Sequence, residues 1–177
     1  MLVRIFVITA GAIGTLLAWP GMAQAQSVQQ WPWIPQGPCS DQTIKGTWLF
    51  TVHGEALSSP NTPPITTTLI DGVGTITFDG KGNLTQQDFI VRNSVPPTNS
   101  TTNGFTPGET GTYTVYADCT GKAEILLGSP SNTRTLALVV SPAAGTIHAV
   151  VSAATVGGST AYLQVHSDFE KISNSVP

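Results

Sequence analysis

Three histidines carry the most versatile chemistry in this sequence: His53, His148 and His166. No two of them stand two to four positions apart, so a local metal-binding pair is missing. His53 stands two residues before Glu55, and His166 two before Asp168. On a strand, residues two apart share a face, so each pair can hydrogen-bond. If the two strands are neighbours, the four side chains can gather into a polar cluster, with His53 and His166 as metal candidates. The plainer alternative is two solvated polar faces. Glu124, in "KAEILLG", is the candidate for acid–base work, because a carboxyl among apolar neighbours has a raised pKa. Its alternative is an outward side chain beside Lys122. Tyr113 and Tyr116 face opposite sides of one strand, so one should line the interior and find a partner for its phenol. Arg134 offers a cation to an anion inside, or sits at a strand end in water. No G-x-S-x-G nucleophile elbow occurs.

Asp79-Gly80-Lys81-Gly82-Asn83 looks at first like a ligand loop. A calcium loop needs oxygens at alternating positions, a glycine at the sixth and a glutamate at the twelfth. Counted from Asp79, those positions hold Leu84 and Ile90, and Lys81 occupies a ligand site. A phosphate loop also fails, since no Ser or Thr follows Lys81. Two glycines for positive φ, with Asp79 and Asn83 for side-chain turn bonds, describe a hairpin between two β-rich runs.

The elements that must position these residues are strands. Alternation in "GTWLFTVHGEA" puts Trp48, Phe50 and Val52 on one face. "TTTLIDGVGTITF" reads as a long strand with a bend or bulge at Gly72 and Gly74. "LTQQDFIVRN" returns, with a bulge near Gln86-Gln87. A long polar loop covers "SVPPTNSTTNGFTPGE". Then "GTYTVYA", "KAEILLG", "TRTLALVVS", "TIHAVVSAAT" and "TAYLQVHSDFEKI" follow one another through short turns. Short connections imply antiparallel neighbours. The expected fold is all-β: a single antiparallel up-and-down β-barrel of about eight strands, with a two-sheet sandwich as its rival.

Residues 1–25 read as a signal peptide: Arg4, an apolar run Ile5–Trp19, and Ala23-Gln24-Ala25 before the cut. No other stretch is long and apolar enough to span a membrane. Residues 26–44 form an arm rich in proline and tryptophan, 45–172 the barrel, and 173–177 a frayed tail. The whole chain has seven basic and ten acidic residues. Without Arg4 the count is six against ten, a net charge of −4. Nothing clusters, and nucleic acid is excluded as a partner. In an exported chain the two cysteines, Cys39 and Cys119, most simply pair as a disulfide. Periplasmic or extracellular placement in a bacterium follows from the same reading.

Gly46-Thr47-Trp48 at the start of the first strand resembles the G-x-W signature of lipocalins. There the tryptophan plugs the closed end beneath an arginine near the last strand; here the last strand offers only Lys171. "GVGTITFDGKGNLT" and "GTYTVYADCTGKAEI" resemble a family of exported, mostly uncharacterised bacterial proteins. Their small barrels are akin to the allene oxide cyclase and calycin barrels. The resemblance spans about residues 44–170 and implies the fold. It carries no catalytic residue onto this chain.

The functional expectation is an exported, non-catalytic binder of a small hydrophobic molecule in the barrel lumen. Trp48, Tyr113, Tyr116, Glu124 and Arg134 are its candidate contacts, and no cofactor is implied. A lumenal cyclase or isomerase using Glu124 is one alternative. A surface-interaction module with a packed interior, working through the 94–110 loop, is the other.

Overall fold

The computed structural model describes residues 39–59, 61, 63–98, 103–143 and 145–175. The signal peptide and residues 26–38 of the arm lie outside them. A 3-10 helix at Asp41–Ile44 precedes nine strands: β1 Gly46–Leu57, β2 Thr67–Phe78, β3 Asn83–Arg92, β4 Thr106–Val115, β5 Thr120–Leu126, β6 Thr133–Ser141, β7 Thr146–Val156, β8 Ser159–Thr160 and β9 Tyr162–Ser173. Each strand from β1 to β7 pairs antiparallel with the next, β9 pairs with both β7 and β1, and the ring closes. β8 is a two-residue extension paired with the end of β7. Eight strands therefore make an up-and-down barrel, and the sandwich is ruled out.

Period-two alternation decides what fills it. Trp48, Phe50 and Val52 of β1 are buried, as are Ile76 and Phe78 of β2, Leu136, Leu138 and Val140 of β6, and Val165 and Phe169 of β9. The residues that alternate with them, among them Leu49, Ala137, Val139, His166 and Asp168, are exposed on the outer face. This apolar interior contrasts with the polar lumen of a membrane barrel. Each large apolar side chain taken from water contributes about 1.5–3 kcal/mol.

Gly72 and Gly74 do not bend β2, whose register against β1 is unbroken from Gly46↔Phe78 to Leu57↔Thr67. They face inward and make room. A Cβ at Gly74 would lie 2.4 Å from the Phe50 ring, and one at Gly72 would lie 2.5 Å from Ile90 Cδ1. Asp79–Asn83 is the expected hairpin tip. Asp79 Oδ1 accepts from the N–H groups of Lys81 (2.6 Å) and Asn83 (3.0 Å), and Gly80 and Gly82 hold φ of 78° and 95°.

This hairpin lies at the same end of the barrel as the β4–β5 and β6–β7 turns, and that end is sealed. Ile44 of the 3-10 helix is fully buried there with Trp48, Phe78 and Ile147. Trp48 Nε1 donates to the Ile44 carbonyl at 2.8 Å. The Tyr113 hydroxyl accepts from Gly80 N–H (2.8 Å) and donates to the Asp41 carbonyl (3.2 Å). Asp41 Oδ1 accepts from Val115 N–H at 2.7 Å. The Cys39–Cys119 disulfide, as expected from the sequence, ties the start of the described chain to the β4–β5 turn.

Candidate functional site

The opposite end carries the polar chemistry. Among the described residues the buried polar or charged side chains are Gln86, Asp88, Glu109 and Ser167. The first three belong to one cluster. Gln86 and Asp88 occupy inward positions of β3, between Leu84 and Ile90. Glu109 stands opposite Gln86 on β4. Just beyond, the β3–β4 register shifts, so that Gln87 faces the extra residues Pro107 and Gly108. Gly108 takes a φ of 76° with open space around it. Its backbone conformation, and not crowding, calls for glycine. Glu109 follows the inward alternation of Tyr113 and Gly111, and inside the barrel Gln86 Nε2 donates to Glu109 Oε2 at 2.6 Å.

Arg134 enters from β6, with Nη1 4.0 Å from Asp88 Oδ2. That is an ion pair longer than a hydrogen bond. Arg92 lies at the rim. Together with Ile90, Pro97, Thr106, Leu127, Asn132 and Val156 these residues line a pocket of about 280 Å³. Two of the three arginines in the sequence stand here.

Burial sets the electrostatics. It pushes the Glu109 carboxyl up to about 7, and the nearby Asp88 charge pushes the same way against the Gln86 hydrogen bond. Burial also raises Asp88, partly offset by the Arg134 and Arg92 charges. The Arg134 guanidinium is lowered by burial, while Asp88 and Glu109 favour its charged form. The pocket thus gathers a guanidinium and two carboxyls raised by burial, of which Glu109 can give or take a proton near neutral pH.

The residues singled out in the sequence separate into three groups. Arg134 lies in the pocket. Trp48 and Tyr113 face inward, but at the sealed end. There burial pushes the Tyr113 phenol up to about 12, and its hydrogen bonds make it a tie between the hairpin tip and the 3-10 helix. Lys171 Nζ sits 5.4 Å from the centroid of the Trp48 ring, filling the place that the lipocalin resemblance gives to arginine. Glu124 and Tyr116 are the corrections. Glu124 is exposed between Thr112 and Thr135 on the outer wall, beside exposed Lys122. Tyr116, at the start of the β4–β5 turn, is also exposed. The barrel's inward carboxyls are Asp88 and Glu109. Glu109 was hidden in the sequence by the Pro107-Gly108 that make its bulge. Counting back by twos from Tyr113 through Gly111 would have reached it.

The histidines do lie on neighbouring strands, with altered partners. His53 stands opposite His166. Its Nδ1 is 2.8 Å from Asp71 Oδ1, not paired to Glu55. Asp168 Oδ1 lies 2.6 Å from His148 Nδ1, not from His166. All of these side chains are on the outer wall.

Fold and site together define an antiparallel eight-stranded up-and-down barrel, sealed at one end and carrying a charged pocket at the other. Compared with family models, curated proteins and solved structures, the chain matches none.

Proposed function

We propose that this protein is an exported binding module that takes one small amphipathic molecule at the open end of its barrel. The observation that carries this is the buried Gln86–Asp88–Glu109–Arg134 cluster. Burying two carboxyls and a guanidinium costs more than an apolar filling would, so stability alone does not account for it. The charged group of the ligand meets Arg134, and a hydroxyl or carbonyl meets Glu109. An apolar part lies on Ile90, Leu127 and Val156. The wholly hydrophobic ligand expected from the sequence suits this lining poorly, and the sealed end is occupied by Trp48, Phe78 and Tyr113. Export rests on the N-terminal sequence and fits the disulfide.

A second reading has one observation in its favour: Glu109, near 7, is tuned for proton transfer. It would make the same pocket catalytic, with Glu109 in the role first sought in Glu124.

Native mass spectrometry of the protein purified gently from an exporting host tests the proposal. A discrete added mass is expected, lost in Arg134→Gln. A bare chain for the unaltered protein, or an added mass retained by Arg134→Gln, would refute it.

A further inference from the structure

All three histidines of the sequence fall on adjacent strands of the outer wall, away from the pocket: His53 on β1, His166 on β9 and His148 on β7. His53 and His166 are direct cross-strand partners, and their ring centroids are 5.6 Å apart with planes tilted by 38°. Two imidazoles sharing one tetrahedral ion, each ligating nitrogen about 2.1 Å from it, bring their centroids to about 5 Å. The observed spacing is close to that geometry before any ion is bound.

The tautomer is set as well. Asp71 Oδ1 is 2.8 Å from His53 Nδ1. A carboxylate accepts only, so Nδ1 carries the proton and the lone pair is left on Nε2. A carboxylate behind the non-ligating nitrogen is the usual support of a metal-binding histidine. His166 is exposed, so its ring can turn toward its neighbour without breaking the core. His148 differs: its Nδ1 is held 2.6 Å from Asp168, and it faces that residue and not His166.

We propose that His53 and His166 form a two-histidine site for a divalent late transition metal, with Asp71 positioning His53. Among the described residues no set of three or more His, Cys, Asp or Glu can close around an ion. The protein therefore supplies two ligands and water the rest. Such a site is open and exchangeable, and it prefers Cu²⁺ over Zn²⁺ in the usual order of divalent ions at nitrogen ligands.

The test is isothermal titration of the untagged, metal-stripped mature protein with Cu²⁺ and with Zn²⁺. One Cu²⁺ per chain is expected, bound more tightly than Zn²⁺. His53→Ala and His166→Ala should each abolish the event, Asp71→Asn should weaken it about tenfold, and His148→Ala should leave it unchanged. The substituted side chains are exposed, and far-ultraviolet circular dichroism verifies the fold of each variant. Binding that survives either His53→Ala or His166→Ala would overturn the proposal, as would binding lost in His148→Ala.

Discussion

Lys171 and Trp48 are register partners on β9 and β1, and the lysine ammonium lies 5.4 Å from the centroid of the indole ring. The same ring donates its N–H to the Ile44 carbonyl at 2.8 Å and meets Phe78 edge-on at 6.5 Å. A single side chain thus joins the first strand, the last strand and the 3-10 helix. Trp48→Ala should destabilise the protein by about 3–5 kcal/mol in urea unfolding. Lys171→Met should cost only about 0.5–1 kcal/mol, with most of it recovered in Lys171→Arg. A Lys171→Met loss as large as that of Trp48→Ala would mean the ammonium has another, unrecognised role.

Glu109 makes stability depend on pH. Its carboxyl is raised from an ordinary 4.5 to about 7 in the folded protein. Between those values the folded state keeps a proton that the unfolded chain releases. The stabilisation is complete below about pH 4.5 and is lost as pH rises through about 7. Allowing for water at the pocket mouth, about 2 kcal/mol should disappear from pH 5 to pH 8. Asp88, also raised, acts in the same direction. In Glu109→Gln, whose amide matches the neutral acid in shape without titrating, urea midpoints at pH 5 and pH 8 should draw together. An unchanged slope would assign the proton elsewhere.

Gly74 is a packing requirement. A Cβ there would stand 2.4 Å from Phe50 Cζ and 2.4 Å from the Gln87 carbonyl oxygen. Gly74→Ala should lower stability by about 1–3 kcal/mol. Trimming the ring in a Gly74→Ala, Phe50→Leu double variant should not restore it, because the backbone contact persists. Full rescue in a double-mutant cycle would show that the ring alone sets the limit.

Reducing the Cys39–Cys119 disulfide, which closes a separation of 80 residues, should cost about 2–5 kcal/mol in denaturant unfolding. Cys39→Ser with Cys119→Ser should match the reduced protein. A double variant as stable as the oxidised protein would show that the 3-10 helix holds the sealed end unaided.

Alternation and turn chemistry make the barrel legible in the sequence. Trp48, Phe50 and Val52 declared the inner face of β1, and Asp79–Asn83 declared a hairpin tip. The single cysteine pair declared the disulfide. The pocket was less legible, for physical reasons. Gln86 and Asp88 sit at inward positions where patterning expects apolar residues, and Pro107-Gly108 disguised the start of β4 as loop. Glu124 drew attention because its neighbours are apolar, yet on a strand those neighbours face the other way. Gly72 and Gly74 looked like a bend because sequence does not show what lies across the barrel from a missing side chain. The histidine pair needed the ring to close before His53 and His166 could be opposite each other.

That closure has a consequence for how the chain is made. β1 hydrogen-bonds to β2 along one side and to β9 along the other, with Thr47 opposite Ser173. While the chain emerges in order, one flank of β1 stays open until β9 arrives, and so does one flank of β7. These are bare strand edges, the surfaces by which β proteins recruit one another. The seam also joins the ends of the domain, the most distant contacts in sequence and the slowest to form. Ribosomal stalling before Tyr162 would therefore leave an adhesive, unclosed sheet and not a smaller barrel. The vulnerable moment in this protein's life comes before its last strand has docked.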